Sequence, residues 1–480
     1  MGVDVSHVID TGRVKESRFN ASTRIKELVT VWTSKASAKQ RAGRAGRTTS
    51  GVCWRLYSDD FSKEWMPPHT CPEILRTPLD ELVLQVCLLY EHRRDEQRSN
   101  VRSKAQLSHG VCPIRFLNRT PEPPPEKSIM EACKHLLEVD ALTVITQDPQ
   151  ILYRLTPLGY HLSRLPMDAK VGKVLIVGCM LGCLDGALTI AAALSTTKSC
   201  FPSRWGNSNK TEWEKVLKAR TDLVESGFGG QNWRGGNVKG DLIASIAAYN
   251  QWAKEGNGKE RFVFASNNGL DNIALKEIHS LRRQYEDCLK DAGFLTKGVA
   301  YYNKAKDDAL LTSCCLVAGM YPNICTLMRP RKGGPKGGRL LTKDGAECRP
   351  SSSSFQMQRI RNAAENGKDA YAVFHAKHRS VGTGHQQGEV FLSEVNFVSR
   401  FALLLFGGEL EVQNNALIVD GWLKFKVGEK GTSNAVLIQE LRYQLDNIMV
   451  GHIVSKEKDT MWEEDCQQVV DVVRQLLAQE

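Results

Sequence analysis

The chain has 480 residues, 41% of them hydrophobic and 25% charged, which excludes wholesale disorder and is too long for one core, so three or four domains are expected. Its 64 Lys and Arg against 54 Asp and Glu leave a net charge of +10, which favours an anionic partner over an acidic-protein role. Fourteen cysteines are scattered without a CxxC pair, the closest being Cys179 with Cys183 and Cys314 with Cys315; this spacing reads as buried free thiols in a reducing compartment rather than a zinc site.

The opening "MGVDVSHVIDTGRV" has no basic region followed by an apolar one, so no secretory signal is expected; it reads instead as a buried strand over 3–9, beginning in the middle of a fold. "GRVKESRFN" and "STRIKELVTVW" alternate about a polar tip at 20–23, predicting a long hairpin over 12–32 with Arg13, Lys15, Arg18, Arg24 and Lys26 along it. "GVCWRLY" predicts a further strand. From Pro72 the apolar spacing becomes helical, which sets a boundary near 68, and a second helix over 128–139 precedes a small hairpin formed by "ALTVI" and "ILYRL". Helices with a two-stranded wing suggest a winged helix.

From 156 to 298 the pattern predicts helices only, at about 168–182, 184–195, 211–225, 240–254 and 271–292. The apolar run 174–194, broken by Asp185 and three glycines, fits two packed helices better than a membrane span. Beyond 299, "AVFHAK", "EVFLSEVNFV", "FALLLFG" and "ALIVDGWLKFKV" predict short strands and a small barrel of the OB type, followed by helices from 435 to about 449 and from 463 onward.

The stretch "SAKQRAGRAGRTTSGVCWRLYS" carries the chemistry. On a continuous helix Gln40, Arg44 and Arg47, at i, i+4 and i+7, share one face, with Arg41 about a quarter turn away and Gly43 and Gly46 leaving room for a large group. Two guanidiniums and an amide aimed at one spot, with no acid nearby in sequence, fit a polyphosphate. A solvated basic turn on a nucleic-acid backbone would use the same charges, and spacing alone leaves both readings open.

"SKASAKQRAGRAGR" followed by "GVCWRLYS" resembles motif VI of the DEAH-box (DExH) RNA helicases. "VIDTGRVKESRFN" resembles the segment after their motif V, "PEILRTPLDELVLQV" the start of their winged helix, and "LTPLGYHLSRLPMD" the entry to their ratchet. "AGMYPNI", "RPSSSSF" and "FALLLFGGELEV" resemble their OB-fold, and "LIVDGWLKFKV" the branch with an extended C-terminal part.

The resemblance implies a multidomain α+β chain: a partial RecA-like α/β segment over 1–67, a winged helix over 68–155, an all-helical ratchet over 156–298, an OB-fold barrel over 299–427 and a helical tail over 428–480. It implies that Gln40, Arg44 and Arg47 bind ATP, with Arg44 and Arg47 as catalytic arginine fingers on the γ-phosphoryl group. It implies that the hairpin, through Arg18, Arg24 and Lys26, presses on single-stranded RNA.

The sequence departs from the family in having no GxxxxGK[ST] loop, no DExH box and no motif V; its DE pairs are Asp80-Glu81 and Asp95-Glu96. The chain is therefore expected to hold half of an ATP site, to need a missing N-terminal RecA-like half and its Mg²⁺ ligands, and to be inactive alone. "RPRKGGPKGGR" adds Arg331, Lys332, Lys336 and Arg339, as a surface loop or, beside an OB barrel, an RNA contact. His375, His378 and His385 read as ordinary strand and loop histidines, "GTGHQQG" as a loop without the phosphate-loop Lys, and Trp205, Trp213, Trp233 and Trp252 as ratchet packing. The implied partners are RNA and protein activators, with no membrane, in cytoplasm or nucleus. The rival expectation is a non-catalytic RNA-binding or docking adapter.

Overall fold

A computed structural model describes residues 5–46, 50–100, 110–147, 150–202, 210–227, 240–328, 339–351, 354, 370–380, 388–413, 416–426, 431–454 and 460–479. In chain order, β1 (His7–Asp10), β2 (Arg13–Asn20), β3 (Ile25–Trp32), α1 (Lys35–Ala42), β4 (Val52–Arg55) and α2 (Asp59–Trp65) come first. There follow α3 (Asp80–Asn100), α4 (Pro113–Leu117), α5 (Glu126–Glu138), β5 (Leu142–Gln147), β6 (Gln150–Leu155), α6 (Pro157–Arg164), α7 (Ala169–Leu181) and α8 (Leu184–Ser195). Next are α9 (Lys210–Gly227), α10 (Asp241–Lys254), α11 (Gly258–Asn267), α12 (Asn272–Asp291) and α13 (Ala309–Met320). The remainder is β7 (Ile324–Leu327), β8 (Leu340–Thr342), β9 (Glu347–Pro350), β10 (Tyr371–Val373), β11 (Ala376–Arg379), β12 (Val390–Ser393), β13 (Asn396–Val398), α14 (Arg400–Phe406), β14 (Leu410–Gln413), β15 (Ala416–Val419), β16 (Leu423–Lys426), α15 (Gly431–Val454) and α16 (Thr460–Leu477).

The chain divides into two compact units. The first comprises Met1–Leu79, Pro113–Ala132 and Lys377–Glu389. In it β1 pairs in parallel with β4, in the register His7↔Val52 to Asp10↔Arg55. The β2–β3 hairpin runs from Arg13↔Trp32 to Asn20↔Ile25, and Lys377–Arg379 lies parallel to β3. The first strand was expected to be buried. Instead Ile9 is 69% exposed and only Asp10 is buried, because among the described residues β1 has a single strand neighbour and packs against α1.

The second unit comprises Asp80–Cys112, Cys133–Ala376 and Val390–Glu480. Its centre is α7, every residue of which is buried, packed against α8 and against the equally buried α13. Apart from the buried Lys170 and Lys173, α7 is apolar all round, as suits a helix inside a bundle, and it is set by its ends: Asp168 caps the Lys170 N–H and Gly182 closes the far end in the left-handed region. Cys183 Sγ lies 3.3 Å from Cys315 Sγ between α8 and α13 in this packing. β5 and β6 form the expected small hairpin.

The β part of this unit has strand order β13-β10-β7-β8-β9-β12 over a core of Cys325, Leu340, Cys348, Phe374 and Leu392, with a separate meander β14-β15-β16. Here two expectations fail. "FALLLFG" is α14 rather than a strand: Ser399 accepts the Ala402 N–H as N-cap, and a short buried apolar run carries no period to separate helix from strand. The all-β reading beyond 299 also misses α13. Among the described residues no helix is long and apolar enough to cross a membrane.

Candidate nucleotide and nucleic-acid interface

The first unit holds α1 firmly at its start. Ser34 accepts the Ser37 N–H as N-cap, the Lys35 and Ala36 N–H groups donate to Pro67 O (2.8 Å) and Pro68 O (3.1 Å), and Lys35 Nζ donates to Lys63 O at 2.6 Å. The hydroxyls of Ser34, Ser37 and Thr70 lie within 3.0 to 3.2 Å of one another.

The helix is shorter than the spacing implied. It ends at Ala42, and the Arg44 and Ala45 N–H groups donate to Arg41 O and Ala42 O, which tightens the chain into successive three-residue turns. Gly46 follows at φ +128°, a backbone setting that side chains resist, whereas Gly43 keeps an ordinary right-handed conformation. The i, i+4, i+7 face therefore does not extend through the motif. Arg47 lies outside the described residues.

Gln40 and Arg44 nonetheless converge. Together with Arg41, Val8, Ile9, Asp10 and Thr11 they line an open cleft of about 390 Å³. Both side chains are exposed, and no ion pair engages Arg44 among the described residues. Arg41 behaves differently: Nη1 donates to Asp10 Oδ1 at 2.8 Å and to Arg13 O at 3.3 Å. Burial pushes the Asp10 carboxyl up, but hydrogen bonds from the Gly12 N–H, Arg41 and Tyr57 outweigh it and hold Asp10 below the ordinary carboxylate range. Arg41 is thus internally neutralised, while Gln40 and Arg44 on either side of it remain available. Asp10 is the residue that sequence reasoning missed; a lone Asp ending a strand gives no local signal of its partner 31 positions on.

On the hairpin, cross-strand pairing sorts the cations by face. Arg13, Lys15, Ser17 and Phe19 stand opposite Trp32, Thr30, Leu28 and Lys26 on the more exposed side, where Leu28 is 50% exposed. Arg18 lies on the other face, its Nε 2.9 Å from Glu16 Oε1 and its register partner Glu27. Arg24 turns the tip at φ +51° with its guanidinium 5.5 Å from the Phe19 ring centre. Arg18 and Lys26, expected to act together, therefore point to opposite faces.

Arg339 immediately precedes β8 and is ion-paired with Glu347 on β9, so its charge is already matched. Arg331, Lys332 and Lys336 lie outside the described residues, as do His385, Trp205 and Trp233. His375 and His378 sit at the β10–β11 corner and on β11, and Trp252 is buried in the helical unit with its Nε1 donating to Asn272.

The chain also resembles known proteins along most of its length. Residues 168–244 match the helicase associated domain (HA2), ratchet-like. The chain is 29% identical over 489 residues to the bovine ATP-dependent DNA/RNA helicase DHX36, across 98% of this chain and 42% of that protein. The chain belongs to the DEAH-box RNA helicase family. It is a C-terminal helicase region: human ATP-dependent RNA helicase DHX29 is 30% identical over 463 residues (93% of the chain, 29% of that protein), and mouse putative ATP-dependent RNA helicase DHX57 is 28% identical over 497 (95% and 32%). This helicase region thus spans about a third of the length of the curated relatives it matches.

Proposed function

We propose that this chain supplies the arginine side of an ATP-driven RNA helicase: Gln40, Arg44 and Arg47 meet the nucleotide's phosphates, and the rest of the chain grips RNA. The observation that carries the reading is the cleft in which Gln40 and Arg44 are exposed and uncommitted while Arg41 is withdrawn onto Asp10. Such a donor set fits a polyphosphate, since guanidiniums bind phosphate oxygens in pairs of hydrogen bonds. It does not fit Mg²⁺. Asp10, the carboxylate lining this cleft, is occupied by Arg41, Tyr57 and the Gly12 N–H, so the metal's ligands have to come from elsewhere.

In this reading the first unit completes a RecA-like domain over 1–67, and α3 to β6 form a winged helix over 68–155. The HA2 match extends to a ratchet over 156–298, the strands around Cys325 and Phe374 to an OB-fold over 299–427, and α15 and α16 to a tail over 428–480. RNA lies along the exposed hairpin face, with Arg24 and Lys26, and along Arg331, Lys332 and Lys336; Arg18 and Arg339 act only if they leave Glu16 and Glu347. Phosphate contacts of this kind are indifferent to sequence.

The test has two arms. The chain should bind ATP at millimolar concentrations, followed by the arginine Nε–H resonances, and Arg44→Gln should weaken that binding about tenfold, the size of one charge-assisted contact. With RNA added, the chain alone should release no phosphate above buffer. Sustained RNA-stimulated turnover by the chain alone would overturn the half-site reading.

A further inference from the structure

We propose that Asp10 is a positioning residue that couples the nucleotide cleft to the foot of the β2–β3 hairpin through Arg41. The inference rests on the nucleotide reading above and adds to it a route by which the two ligand surfaces sense each other.

Asp10 ends β1 and is 2% exposed, and three different pieces of chain donate to its carboxylate. The Gly12 N–H reaches Oδ1 at 3.0 Å from the turn into the hairpin, Arg41 Nη1 reaches Oδ1 at 2.8 Å from α1, and Tyr57 Oη reaches Oδ2 at 3.2 Å from the segment after β4. Gly12 is required there: at φ +71° a Cβ would sit 2.7 Å from the Tyr57 ring. Arg41 then continues the path, because its Nη1 also reaches Arg13 O at 3.3 Å.

Beyond Arg13 the path ends on an aromatic pair. The Arg13 guanidinium lies 3.4 Å from the Trp32 ring centre, Trp32 packs on Phe61 at 4.4 Å, and the Thr33 N–H donates to Gly12 O at 2.8 Å. Trp32 is thus the last hairpin residue and the first to feel a change at Arg13. Gln40 and Arg44, at the other end, flank Arg41 on the cleft wall.

A buried carboxylate is tolerated only while its oxygens are bonded, so this network holds together or breaks as a unit. A shift of α1 when phosphate is gripped has to be followed by Arg13 and Trp32 or else leave the buried Asp10 charge short of a partner. Asparagine at position 10 keeps the volume but removes the negative charge that holds the Arg41 guanidinium, leaving a neutral amide oxygen in its place.

The experiment uses the full chain labelled with 5-fluorotryptophan, the Trp32 resonance being assigned with Trp32→Phe, and compares the free and ATP-saturated forms so that affinity changes drop out. The wild-type Trp32 resonance should move on ATP binding, and in Asp10→Asn at saturation the shift should be at least about fivefold smaller, as expected when coupling between two sites is lost. Arg41→Gln removes the cation whose Nη1 contacts both Asp10 Oδ1 and Arg13 O, and should shrink the shift as well; it carries the test if Asp10→Asn does not fold. A full Trp32 shift in the folded variants, or wild-type ATP binding without any Trp32 shift, would overturn the coupling and leave the nucleotide reading standing. No ATP binding by the wild-type chain would remove that reading and the coupling together.

Discussion

Arg41 and Arg44 stand three positions apart and do opposite work. Arg41 neutralises a buried carboxylate, and removing one member of such a pair leaves a charge without a partner. Arg41→Ala should therefore lower unfolding free energy by about 2 kcal/mol, less than for a fully buried pair because the Arg41 side chain is 34% exposed. Arg44→Ala should change it by under about 0.5 kcal/mol, the usual range for an exposed site. Urea unfolding of the two variants separates these outcomes, and equal losses would contradict the division. That Gln40 and Arg44 would meet at one place was legible in the sequence through residue types and order. The assignment of each guanidinium was not, because it depends on Asp10 arriving from a strand distant in sequence.

Among the elements, the junction of α10 with β13 carries a pH dependence. The Asp241 carboxylate accepts from the Val395 N–H (2.9 Å) and Ser354 Oγ (3.0 Å), and Asn396 Oδ1 accepts the Leu242 N–H at 2.9 Å. Glu394 precedes these caps at φ +51°, and burial, together with the charge of Asp241, pushes its carboxyl up to about 8; the Cys200 thiol, which in turn feels Arg220, also lies near it. A carboxyl raised in the folded state contributes stability that is fully present at low pH and is lost as pH rises from the ordinary Glu range through about 8. Thermal melts from pH 6 to pH 9, on the order of that window, should fall for the wild type and flatten for Glu394→Gln; parallel curves would show that Glu394 does not titrate there. Elements with clear periodicity, such as α12 and the β2–β3 hairpin, were legible in advance. α13 and α14 were not: both are mostly apolar and buried without a helical period, and only their surroundings distinguish a buried helix from a strand. The shortening of α1 was hidden for another reason, since Gly43 and Gly46 each permit a helix end without stating which one takes it.

At the scale of the whole molecule, the excess of ten positive charges makes the proposed RNA affinity a salt-dependent quantity. Each phosphate neutralised on a single strand contributes about 0.7 to the slope of log affinity against log salt. Replacing both Lys332 and Lys336 with Gln should then reduce the slope by about 1.4, read by anisotropy of a labelled oligouridylate at several salt concentrations. An unchanged slope would place those lysines away from the RNA. The two-strand β1–β4 sheet has a further consequence. Ile9, Val52 and Trp54 stand on one of its faces at 69%, 46% and 59% exposure, and the ladder continues on neither side among the described residues. Preparations of the folded chain should therefore light up the dye ANS without denaturant and drift toward oligomers on concentration, and a Trp54→Lys substitution should dim the dye and slow the clumping.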